Sequence, residues 1–98
     1  MIVRVEAGPT WESGPVDEQP GWDEHADFID GYVERGLMVM GGPFADSSGS
    51  VSIWEGRPAD EIRAIQEQDP FVANGVFRIV DVRDWMVFVD ELTPNAAD

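Results

Sequence analysis

The chain has 98 residues, enough for one domain and too few for a second core. Twenty acidic residues against six arginines and no lysine give a net charge of −14, which opposes nucleic-acid binding and excludes lysine Schiff-base chemistry. No cysteine is present for a disulfide, a thiolate nucleophile or a Cys-type zinc site, and no apolar run nears the roughly 20 residues of a membrane span.

The N-terminal MIVRVEAG alternates apolar and charged residues, as a half-buried strand does. It lacks the basic-then-apolar layout of a signal peptide, so the expected compartment is the cytoplasm. Residues 8–21, GPTWESGPVDEQPG, are dense in Gly and Pro and read as a long loop, a kind of segment that tends to be functional or mobile. Trp11 within it either folds back as a lid over a pocket or anchors the loop on the core.

The first helix is expected from Trp22 to Arg35. Asp23 and Glu24 sit in its first turn, and Gly36 is placed to end it. Trp22, Ala26, Ile29 and Val33 make an apolar stripe that Phe28 and Tyr32 widen. Gly31 has no evident packing reason there. LMVMGG, residues 37–42, is a short apolar strand expected to be covered on both faces. A turn over 43–50 leads to a third strand, VSIWE, residues 51–55, making a hairpin. Pro58 suits the first position of a second helix, with Ala59, Ile62 and Ile65 facing the core and Asp69-Pro70 ending it. Residues 76–89, VFRIVDVRDWMVFV, are expected as the last strand, bent or interrupted near Arg83-Asp84, before a polar tail at 90–98.

The order is β-α-β-β-α-β. The expected fold is α+β and ferredoxin-like: a four-stranded antiparallel sheet with two helices on one face, in a single domain over 1–98. Two titratable residues break the pattern. His25, the sole histidine, lies inside the apolar arc of the first helix, and Asp69 lies on that of the second. Both helices cover one sheet face, so the two residues can share a pocket. A carboxylate on one ring nitrogen sets the tautomer of an imidazole and leaves the other nitrogen to take or give a proton. The plain alternative is a buried core histidine and a turn-forming Asp. A metal site is not expected, since only carboxylates would supplement His25.

His25 with Phe28, Gly36 before a short apolar strand, Gly42-Pro43, Asp46, Gly49, Asp69-Pro70-Phe71, Gly75 and the late Trp85 stand in an order and spacing that resemble the YCII-related family of dimeric α+β barrels. The resemblance covers about residues 1–89, with Asp84 standing where the family pattern often has proline. It implies a subunit that pairs through its sheet, a His–Asp site carried by His25 and Asp69, and pocket residues at Gly42 and Pro43. Phe28, Phe71 and Trp11 complete the expected ligand-binding set.

The functional reading is a small enzyme that uses the His–Asp pair for general acid–base chemistry, isomerase- or lyase-like, on a small organic substrate. The alternative is a non-catalytic dimeric domain that holds a small ligand. No G-x-G-x-x-G or Walker pattern is present, so no nucleotide cofactor is suggested, and none of any kind is expected. The expected partners are a second copy of the chain and a small molecule, with neither nucleic acid nor membrane. A homodimer is expected because a small domain carries ten aromatic residues while two helices cover only one sheet face.

Overall fold

A computed structural model describes residues 1–92. It contains strands β1 (Ile2–Ala7), β2 (Met38–Pro43), β3 (Gly49–Trp54) and β4 (Phe77–Arg83), and helices α1 (Trp22–Glu34), α2 (Ala59–Glu67) and α3 (Pro70–Ala73). The sheet is antiparallel in the order β2-β3-β1-β4, the ferredoxin-like arrangement that β-α-β-β-α-β implies. The core under the helices is Val3, Val5, Trp54, Ile62, Phe71, Val76 and Phe77. Among the described residues no helix is long and apolar enough to cross a membrane.

Local chemistry sets the helix boundaries. Gly36, at φ +74°, ends α1 in a Schellman motif. Its N–H donates to the carbonyl of Val33, and the N–H of Leu37 donates to that of Tyr32. Pro58 stands just outside α2, as its cap rather than its first residue. Asp69 does more than stop α2. It opens the separate turn α3, where its carboxylate accepts the N–H of Phe71 at 2.9 Å.

Three expectations change. The last strand stops at Arg83, not at residue 89, because Arg83 already pairs with Ile2 at the start of β1. The β1–β4 pairing ends there, and Trp85, Met86, Phe88 and Val89 stand exposed. β2 is not covered on both faces: it is the sheet's edge, and Val39 and Met40 are about half exposed. Val33 does not complete the half-buried apolar stripe of α1 and is 50% exposed. α1 lies towards edge strand β2, so its outer flank has nothing to pack on. Of the polar tail, residues 93–98 lie outside the described residues.

The 8–21 segment is tied down along its length rather than free. Gly8 N–H donates to the carbonyl of Val76, Thr10 N–H to that of Gly75, and Asn74 Nδ2 to that of Pro20. The buried amide of Gln19 donates to the carbonyl of Glu12 at 2.6 Å and accepts its N–H at 2.8 Å. A short 3-10 turn, Val16–Glu18, leads into this latch.

Gly31 illustrates a cost with no return. A Cβ built there meets nothing within 4 Å, and its backbone is helical. Gly31→Ala is therefore expected to stabilise the chain by about 0.5–1 kcal/mol in urea unfolding. An unchanged or lower midpoint would refute this.

Candidate active site

His25 sits in the first turn of α1, and its N–H donates to the carbonyl of Gly21. Asp69 sits at the joint between α2 and α3. The two elements bring His25 Nδ1 to 2.7 Å from one Asp69 oxygen and 2.9 Å from the other. The Asp69 side chain is only 3% exposed and that of His25 14%. One carboxylate thus has two partners: the imidazole and the backbone N–H of Phe71.

The ring is also fixed by packing. Phe71 stacks on it at 4.1 Å between centroids and 11° between planes, and Phe77 meets it edge-on at 5.8 Å. With Nδ1–H given to the carboxylate, the neutral ring carries its lone pair on Nε2, the nitrogen of a general base. No other described side chain hydrogen-bonds to Nε2. Among the described residues no cluster of three or more His, Asp or Glu that could hold a metal is present.

His25 and Asp69 line a cavity of about 260 Å³ between the helices and the sheet. Gly42 and Pro43, at the end of β2, line it as well. A Cβ at Gly42 would meet nothing within 4 Å, so this stretch of the rim is open. The remaining three expected ligand-binding residues are placed elsewhere. Phe71 is fully buried behind the imidazole and supports the ring rather than the cavity wall. Phe28 packs edge-on against Tyr32, at 5.2 Å, away from the cavity. Trp11 stacks on Phe77 at 6.0 Å, which makes it the loop's anchor on the core; Val16 is the loop residue that reaches the cavity.

Three polar wall residues escaped the sequence reading: Ser50, Ser52 and Gln66. Ser50 and Ser52 share the parity of Trp54, the one large aromatic of β3, and that alternation was the available signal. Gln66 carried none beyond lying three residues before Asp69.

The YCII-related domain matches residues 5–86 of the chain. The chain belongs to the YCII-related family. No curated protein matches this YCII-related chain. Among solved structures it is similar to 5-chloro-2-hydroxyhydroquinone dehydrochlorinase from Burkholderia phenoliruptrix, determined in complex with 2,5-dihydroxybenzoquinone. The identity is 24% and the TM-score 0.56, over 88% of this chain and 94% of that one, which is a likeness of fold.

Proposed function

We propose that this YCII-related domain moves a proton on a small organic substrate, with His25 as the acid–base and Asp69 as the group that orients it. The observation that carries the reading is the 2.7 Å contact between Nδ1 and a nearly sealed carboxylate, beside a cavity that the same ring lines. Such a pair holds one tautomer and offers Nε2 to a reacting C–H or O–H. The volume suits a single substituted ring. Isomerisation or elimination needs no more than this: a base takes a proton, and the electrons either return it elsewhere or expel a leaving group. The similar dehydrochlorinase, named for a reaction of the second kind and bound to a quinone, supports the class.

We further propose that the working unit is a homodimer formed through the uncovered sheet face. Ile2, Met40, Val51 and Ile53 make an apolar hollow there, with Trp85 at its side. Around it Arg4 pairs with Asp81 at 3.1 Å, Arg83 pairs with the same carboxylate, and Arg78 pairs with Glu6. Arg83 first and Arg4 second hold the Asp81 carboxyl below the usual carboxylate range. Three of the six arginines of a strongly acidic chain thus gather at one face, which leaves that face nearly neutral towards its own copy.

The test uses 2,5-dihydroxybenzoquinone as probe. Proton NMR follows the imidazole of His25, the sole histidine, while exchange of the probe's ring hydrogens with deuterated solvent reports proton transfer. The expected result is a saturable His25 response and an exchange rate about 100-fold or more above that of His25→Gln. Binding without faster exchange would favour the ligand-holding alternative. No His25 response at millimolar probe would sink the reading.

A further inference from the structure

The pattern of β3 is inside out. Ser52 pairs with Val3 and Ser50 with Val5, so both serines share the sheet face of the buried core valines, under the helices. Val51 and Ile53 take the opposite, uncovered face. A register shift of one residue would have buried the apolar pair, so polar groups occupy positions where packing alone favours Val or Ile.

Each group has a hydrogen to give. Ser52 Oγ already accepts from the indole Nε1 of buried Trp54 at 2.8 Å, which leaves its own O–H hydrogen to be given away. Ser50 makes no side-chain hydrogen bond among the described residues. From α2, Gln66 lines the same cavity at 4% exposure, and its Nε2 is buried with no hydrogen-bond partner among the described residues. A buried amide NH₂ without a partner is a desolvation cost that the fold alone does not repay.

We propose that Gln66, Ser50 and Ser52 form a donor wall that recognises an acceptor oxygen, carbonyl or enolate, of a compact ligand whose other side meets His25. The inference rests on the acid–base reading above and adds the chemistry of the substrate. When a C–H bond next to a carbonyl breaks, the proton passes to His25 Nε2. The bonding pair moves into the new C=C, and the carbonyl π electrons settle on oxygen as enolate. That oxygen is where charge develops, and hydrogen-bond donors on the wall around it stabilise it. A half-turn of the Gln66 amide about its last bond brings its NH₂ to the ligand.

The experiment titrates 2,5-dihydroxybenzoquinone into the full chain and into Gln66→Leu, Gln66→Met and Ser50→Ala, with His25 proton resonances and thermal unfolding recorded for each. Gln66→Leu is expected to melt no lower than the parent and to bind the probe about 10–100-fold more weakly, with His25 still responding at saturation. Ser50→Ala is expected to weaken binding in the same direction. Parent-like affinity in both folded variants overturns the donor wall while leaving the acid–base reading intact. Lowered melting in Gln66→Leu and Gln66→Met alike also overturns it, since the amide would then serve the fold. No His25 response in the parent chain overturns both readings.

Discussion

Asp69→Ala is expected to lower the melting temperature by about 12 °C or more. The carboxylate is 97% out of reach of solvent by its side chain's 3% exposure, and it satisfies two donors at once. Removing it leaves His25 Nδ1–H and the Phe71 N–H without partners in a packed environment. Breaking such a buried pair costs about 3–5 kcal/mol. In a domain of this size each kcal/mol corresponds to about 4–8 °C. Asp69→Asn separates the parts of this effect. Its amide oxygen can still accept from Phe71 and from the ring, so the loss of stability should be smaller. Its altered acceptor group changes what faces Nδ1, so the His25 ring-proton chemical shifts should move from those of the parent chain. Proton NMR of the sole imidazole reads that shift directly. Superimposable His25 resonances in a folded Asp69→Asn would refute any communication between the residues, and with it the assigned site.

Met40→Asp is expected to convert the proposed homodimer into monomers. Met40 is 54% exposed on the edge strand and borders the apolar hollow, so the substitution should leave the subunit itself intact. In the dimer it would bury an unpaired carboxylate, at a cost of several kcal/mol, so Kd should rise by about 100-fold or more. Light scattering should give twice 10.9 kDa for the parent chain and 10.9 kDa for the variant at the same micromolar concentration. Each chain carries −14, so added salt should tighten the parent dimer by screening. A parent chain that scatters as a monomer at moderate salt would refute the interface, and Trp85 with its apolar neighbours would then need another cover.

The element order was legible because each segment declares its period. The stripe of α1, the alternation of β1 and the short apolar β2 follow from residues a few positions apart, and local sterics and burial act at that range. His25 and Asp69 were legible for the same reason: a charge on an apolar arc is visible within one helix. The 2.7 Å contact was not, since it depends on how α1 meets the α2–α3 joint, 44 residues away.

The tertiary structure decided what periodicity leaves open. WMVFV has strand composition, yet a strand needs a paired backbone, and the pairing of β4 with β1 ends at Arg83 and Ile2. Trp11 and Phe28 are apolar wherever they lie, so composition could not say that one anchors a loop on Phe77 and the other packs on Tyr32. Above all, period two defines two faces of β3 without saying which is covered. Only its pairing with β1 turns Ser50 and Ser52 inward and Val51 and Ile53 outward. Side-chain alternation is a property of the chain, but which face meets helices is set by neighbours distant in sequence.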